Sequence, residues 1–453
     1  MADFLRAKGL FIYPKSIRRL GNGAEIFVAR QENEKFVGIT KGNDFQILPL
    51  LWENYKKLKA MLPLSPTPCE KKTSFGTGDR LGMVSAAHLS VLSKYDVFPV
   101  IAQQSPRELA KTSRNFKDVL LKAVLGVLES GYTGKWGADA DHIKDEQQLL
   151  EAIDAGYSMY TLDISDWLDY PPRRTPAELS PLSRKIVANS FNLPPICTAY
   201  KIDNERLIDS ALIYEHALNL VKHFHEIIKE NIANFDLEIS IDECPRDTTP
   251  EDHYFVAEFL HLSGVEFTSL APKFPGRFQK GVDFEGDMAE LATSLRMHAT
   301  LCRSLGGYRL SLHSGSDKFS IYPLLSEIID GAFHIKTSGT SWLQAVKVIS
   351  EVNLPLFREL YMLCLENLEE SKKAYQISVE LKYFPKELPN DIRAFLQQLD
   401  VRQLFHISYG ALLDQKREEI YKTLSMHEEK HYSEVAEHIE RHLKTLKIRA
   451  SES

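Results

Sequence analysis

Residues able to hold a metal ion or move a proton recur along this chain at the ends of short β-type runs. Asp79 and Arg80 follow the run 73–76, Asp139, Asp141 and His142 follow 135–138, Asp163 and Asp166 close and follow 158–164, and Asp242 and Glu243 follow 237–241. Glu266 stands inside 264–269, His313 ends 308–312, and His334 with Lys336 ends 332–335. Imidazole and carboxylate without thiolate suit a borderline-to-hard divalent ion: zinc, manganese, nickel or cobalt. His142, His313 and His334 are the candidate ligands, because each stands where a run hands over to a loop. One acid in a loop is ordinarily a solvated residue, and one histidine ordinarily a hydrogen-bonded one. Their joint recurrence at such positions is the signal.

A second chemistry is anion binding. Segment 272–280, Pro-Lys-Phe-Pro-Gly-Arg-Phe-Gln-Lys, carries Lys273, Arg277 and Lys280 in a chain of formal net charge −7. Such a loop suits a carboxylate or phosphate on a substrate, with Lys273 or Arg277 as the expected partner. Stretches 314–316 and 337–341 are rich in Gly and hydroxyls, as loops that bind anions through backbone amides are. Two other motifs point elsewhere. Gly76-Thr-Gly-Asp-Arg-Leu-Gly82 resembles a dinucleotide fingerprint, but its last spacing is one residue too long and no acidic residue ends a matching βαβ unit, so no NAD is expected. His427-Glu-Glu-Lys-His431 matches the H-E-x-x-H of zinc proteases. Its neighbours Glu434, Glu437, Glu440, Arg441 and Lys444 mark a solvated, charged helix face instead.

The elements that must position these residues follow from the same runs. Eight β-type runs, 73–76, 97–102, 135–138, 158–164, 237–241, 264–269, 308–312 and 332–335, are mostly followed by helical stretches such as 108–128 and 250–262. Alternating strand and helix predicts a parallel sheet, and eight units predict a closed (β/α)8 barrel, whose C-terminal strand ends converge on one face. Short β-type runs at 10–13, 25–29 and 36–40 predict a small β-rich preface, followed by a helix at 50–62 and a Pro-rich boundary. Stretch 166–234 has room for a helical excursion, and the chain after Trp342 is helical in character. The expected segments are thus 1–65 β-rich, 66–345 catalytic barrel and 346–453 helical extension. With 43% hydrophobic and 26% charged residues the chain is an ordinary globular protein. Lys and Arg total 55 against 62 Asp and Glu, so no general attraction to nucleic acid or anionic membrane is expected. No run approaches the roughly 18 apolar residues of a membrane span, and Asp3, Arg6 and Lys8 break any leader-like start. Five scattered cysteines (Cys69, Cys197, Cys244, Cys302, Cys364) without C-x-x-C fit neither a disulfide framework nor a thiolate zinc site. The expected compartment is the cytoplasm.

Six segments, Ser74-Phe-Gly-Thr-Gly-Asp-Arg-Leu-Gly82, Gly137-Ala-Asp-Ala-Asp-His142, Thr161-Leu-Asp-Ile-Ser165, Val265-Glu-Phe-Thr-Ser-Leu-Ala-Pro-Lys-Phe274, Leu312-His-Ser-Gly-Ser-Asp-Lys318 and His334-Ile-Lys-Thr-Ser-Gly339, resemble the tagaturonate/fructuronate epimerase family. The resemblance extends over most of the chain, to His406-Ile-Ser-Tyr-Gly410. It implies a metal-dependent, NAD-independent interconversion of two keto-hexuronates in bacterial galacturonate and glucuronate catabolism. It implies Asp141 and Glu266 as the acid/base pair and His142, His313 and His334 as metal ligands, with Glu243 or Asp163 as alternatives. Asp79, Arg80, Asp163, Glu243, Lys273, Arg277 and Lys336 are then expected to contact substrate. The expected partner is a small keto-uronate, although relatives also act on neutral ketohexoses. Runner-up readings are a metal-dependent aldolase or ketose isomerase on the same barrel, and a sugar-binding regulator that has lost the reaction. The epimers differ one carbon beyond the position that the ketone acidifies, so a retro-aldol route is expected.

Overall fold

The computed structural model describes residues 9–42, 44–188, 201–373, 375, 377 and 379–451; Cys197 and the 189–200 part of the expected excursion lie outside them. Eight strands, β6 (Ser74–Thr77), β7 (Phe98–Gln104), β8 (Gly137–Ile143), β9 (Met159–Asp163), β10 (Asp236–Ile241), β11 (Ser269–Pro272), β12 (Arg309–Leu312) and β13 (Phe333–Thr337), close into a barrel. All neighbours are parallel, and β13 closes on β6 from His334↔Ser74 to Thr337↔Thr77. Helices cover the outside and side chains fill the inside, so β9 and β10 are buried at every residue. The predicted (β/α)8 architecture is the one observed.

Two expected elements differ. The run 264–269 is mostly not strand: it leaves the helix Pro250–Leu262 through Gly264, whose φ is +74°, with Val265 N–H donating to the Leu260 carbonyl. Val265 and Phe267 are apolar because they pack as a helix-terminal anchor, Phe267 lying 4.5 Å from the Tyr308 ring. The sixth strand starts only at Ser269. The helix expected at 108–128 is two, Pro106–Thr112 and Phe116–Ser130, broken where Ser113 turns left-handed and Asn115 with Asp118 forms a capping box.

The N-terminal strands β1 (Phe11–Ile12), β2 (Arg18–Arg19), β3 (Glu25–Gln31), β4 (Glu34–Lys41) and β5 (Asp44–Leu48) form an antiparallel sheet in the order β1-β3-β4-β5, with β2 on β3. One face, with Ile26, Val28, Val37 and Leu48, joins the barrel core. The C-terminal helices Thr340–Val352, Leu354–Glu366 and Leu399–Met426 build a second core around Trp342, Phe357 and Phe405. The last helix, Glu428–Thr445, corrects the expectation of a solvated face: His431, Val435, Ile439 and His442 are buried where it meets the helices Ser85–Leu92 and Thr340–Val352. His427 sits at the junction of two helices, and Glu428 is bound by Arg30, Lys35 and Tyr13, so H-E-x-x-H here makes packing rather than a metal site. Among the described residues no helix is long and apolar enough to cross a membrane.

Candidate active site

Lys336 is the hub of the barrel's C-terminal mouth. Its Nζ lies 2.7 Å from Asp139 Oδ2, 2.7 Å from Asp141 Oδ1, 2.9 Å from Glu238 Oε1 and 2.5 Å from Thr161 Oγ1. Asp139 and Asp141 stand two residues apart on β8, Thr161 on β9 and Glu238 on β10, and all face inward. Thr161 Oγ1 donates to Asp139 at 2.8 Å and Ser269 Oγ to Glu238 at 2.7 Å, so the buried charges are also hydrogen-bonded. Burial pushes the Asp139 carboxyl up to about 6 against the pull of Lys336. Burial also raises Asp141, but Lys336, His142 and His313 outweigh it and hold that carboxyl at about 2. Glu238 is depressed by Lys336 and His313 in the same way, and Lys336 stays a cation because three acids overcome its burial.

Beside this hub stand two imidazoles with ring centroids 4.9 Å apart, His142 and His313. His142 Nδ1 meets Asp163 Oδ2 at 3.0 Å, turning Nε2 toward Asp141, 3.8 Å away. His313 lies between Glu238 at 2.6 Å from Nε2 and Asp242 at 3.1 Å from Nδ1. Burial lowers both imidazoles, but the surrounding carboxylates raise His142 to about 9 and His313 to about 10. Ligand atoms of His142, Asp242 and His313 lie within 4.8 Å of one another, as do those of His142, Asp163 and Glu243. This donor set fits a divalent ion. The two imidazoles carry two protons amid acids, and one M²⁺ supplies the same charge once those protons leave. The carboxylate behind His142 is the outer support that metal-ligating imidazoles ordinarily have.

The predicted residues divide. Asp141, His142, His313, Asp163 and Lys336 come together, with Glu243 at the rim, where it pairs with Arg107 at 3.0 Å and Lys144 at 3.4 Å. Glu266 does not join them. It is exposed and precedes β11 at the N-terminal end of the barrel, where its charge acts on His225. His334 stands two residues before Lys336 on the same strand face, hence deeper. Its Nδ1 meets Ser74 Oγ at 2.8 Å, its Nε2 is buried without a partner among the described residues, and burial holds it down at about 3. Asp79 ties its own turn, its carboxylate accepting from Leu81, Gly82 and Val84 amides. Arg80 is spent on Glu108 and the His406 carbonyl, stacked 3.8 Å from the Tyr409 ring centroid. Gly339 must be glycine here, since a Cβ would stand 2.6 Å from His406 and 2.8 Å from Arg80. Lys273 donates to the Cys244 carbonyl, and Arg277 is solvent-exposed beside Glu285. The third cation of that loop, Lys280, instead faces the mouth: it donates to Ser314 Oγ at 2.8 Å, and Arg107, Glu108, Asp242 and Glu243 are the charges acting on it. Among the described residues no carboxylate lies within 4 Å of it, and burial lowers its pKa. Glu238 and Lys280 are thus the residues that sequence reasoning passed over.

The tagaturonate epimerase family matches residues 13–446. A curated relative, the tagaturonate/fructuronate epimerase of Thermotoga maritima, is 38% identical over 97% of both chains. Crystal structures of the fructuronate-tagaturonate epimerase UxaE from Cohnella laeviribosi, native and with one glycerol, superpose with a TM-score of 0.91 at 31% identity over 99% of both chains. With that match over nearly the whole length of a barrel whose mouth holds imidazoles, acids and a lysine, the chain belongs to the tagaturonate epimerase family.

Proposed function

We propose that this chain interconverts tagaturonate and fructuronate by inverting C4 of the keto-acid, with a divalent ion at the barrel mouth. The family match over residues 13–446 carries the reading, and the cluster around Lys336 supports it. Counted from the hydroxymethyl end, the ketone is C2 and the epimers differ at C4, so enolisation alone cannot invert the centre. Cleavage can. A base takes the C4 hydroxyl proton, the C3–C4 electron pair passes into a C2–C3 enediolate, and the three-carbon aldehyde acid re-adds through its other face. His142, His313 and Asp242 would hold the divalent ion, which would supply Lewis acidity at the substrate ketone.

The side chains do the rest. Asp141, ionised and the most open of the acids on Lys336, takes the hydroxyl proton. Glu238 takes the place first given to Glu266: the proton that Asp141 took passes through Lys336, which both acids share, to the re-formed C4 alkoxide on the Glu238 side, so the cycle closes with no net proton change. Lys280 holds the substrate carboxylate, being a cation at the mouth with no carboxylate partner among the described residues. The four described cysteines are free thiols, as a reducing cytoplasm keeps them. The test is direct: chelator-stripped chain, reloaded with manganese, nickel, cobalt or zinc, is incubated with tagaturonate. Fructuronate should appear, vanish with chelator and return with metal. No product with any metal overturns the reading, and accumulation of dihydroxyacetone instead would indicate an aldolase.

A further inference from the structure

We propose a second metal site, outside the barrel mouth, formed by Asp317, His438 and His442. The two histidines stand four residues apart on the last helix, so their rings leave one face, with centroids 4.8 Å apart. Asp317 meets them from the loop after β12, on a left-handed backbone of φ 60°. His438 Nε2 lies 2.8 Å from Asp317 Oδ1, the Asp317 amide is 3.2 Å from His442 Nε2, and the three ligand atoms fall within 4.8 Å of one another. His442 Nδ1 donates to the His438 carbonyl at 2.8 Å, the way metal-ligating imidazoles are usually fixed, so its Nε2 is an acceptor, which here takes the Asp317 amide N–H. Arg402 takes the other Asp317 oxygen at 2.9 Å.

Asp317 Oδ1 and His438 Nε2 are buried and adjacent, yet neither makes a hydrogen bond of acceptable geometry within the described residues. A cation between them would satisfy both, with His442 Nε2, released from the Asp317 amide, as the third ligand. Two imidazoles and one carboxylate are zinc ligands, and the remaining position faces a cavity of about 440 Å³ lined by Gln344, Glu434 and Glu437 among others. The nearby cations are otherwise engaged: Lys318 donates to the carbonyls of Gln279, Val282 and Ser316, and Arg441 stacks 3.9 Å from the Phe319 ring centroid. A bound ion would fasten the loop after His313 to the C-terminal helix. The site does not depend on the reading of the barrel mouth.

Metal counting separates the two sites. The full chain is stripped with chelator, equilibrated with zinc, dialysed and analysed for zinc per chain. His438→Gln, at the edge of the cluster, and Asp317→Asn should each bind one equivalent fewer than the unsubstituted chain, and His142→Gln should keep the equivalent that they lose. With cobalt as the probe, His142→Gln should show a visible d–d band that adding His438→Gln removes. Unchanged zinc content in both His438→Gln and Asp317→Asn overturns the second site. Unchanged content in His142→Gln overturns the barrel ligand set alone.

Discussion

Lys336 holds three buried carboxylates, so its loss leaves them uncompensated. Breaking a buried ion pair from one side typically costs about 3 to 5 kcal/mol. Lys336→Met should therefore lower both the melting temperature and kcat, the latter by roughly a hundredfold or more. Near-normal values of both would show that the hub is neither structural nor catalytic. Lys280 makes a narrower claim. Removing one partner of a buried charge contact costs about 2 to 5 kcal/mol of binding, so Lys280→Met should raise KM for the keto-uronate roughly thirtyfold or more while sparing the neutral ketose. Equal losses on the two substrates would move the carboxylate elsewhere. Of the two residues that sequence reasoning passed over, Glu238 had a trace in the sequence and Lys280 had none. In β10, Asp236, Glu238 and Ser240 alternate with Leu237, Ile239 and Ile241, and in β8 Asp139 and Asp141 alternate with Ala138 and Ala140. A strand buried on both faces has no reason to carry a polar stripe unless that stripe lines the barrel interior. Alternation thus finds Glu238, while attention to strand ends alone passes over it and favours Glu266. Nothing in the spacing of 272–280 separates Lys280 from Arg277, because the turn that sends one inward and the other to solvent is tertiary.

At the scale of elements, the sixth strand was misplaced because Val265 and Phe267 are as apolar as a strand but serve the end of the preceding helix. Charge density likewise disguised the last helix, whose buried stripe is partly imidazole. His431 on that helix and His88 on Ser85–Leu92 are both fully buried; His88 Nε2 meets Ser341 Oγ at 2.7 Å, and His88 Nδ1 and His431 Nε2 have no partner among the described residues. Burial holds each imidazole down at about 4. An unfolded imidazole titrates near 6.5, so between roughly pH 6.5 and 4 the unfolded chain binds more protons than the folded one. The contribution of each is complete above pH 6.5 and is lost as pH falls toward 4, by at most about 3 kcal/mol per residue. Urea unfolding at pH 7.5 and 4.5 measures this, and the double variant His88→Leu, His431→Leu should show a smaller fall than the unsubstituted chain. An identical fall would assign acid lability to other groups.

For the whole molecule, the C-terminal helices matter to the chemistry as well as to the fold, because they hold down the loops over the mouth. Arg402 donates to the Gly281 carbonyl and pairs with Asp317, and Gln403 bonds Gln279, which anchors the segment bearing Lys280. Arg80 and Gly339 meet His406 on the other side. A reaction that cuts its substrate in two needs such a cover, since dihydroxyacetone and the aldehyde acid must stay together until the bond re-forms. Lys280 would retain the charged half while its aldehyde turns. Two outcomes follow. Substrate deuterated at C4 should keep its label through many turnovers, since that hydrogen never leaves carbon; wash-out into solvent would sink the cleavage route and leave the epimerase reading standing. Loosening the cover with Arg402→Met should raise the share of turnovers that release dihydroxyacetone, measured by trapping it enzymatically, while the unsubstituted chain releases almost none. If Arg402→Met slows epimerisation without any rise in that share, the helices act on stability alone and the fragments are retained by the barrel itself.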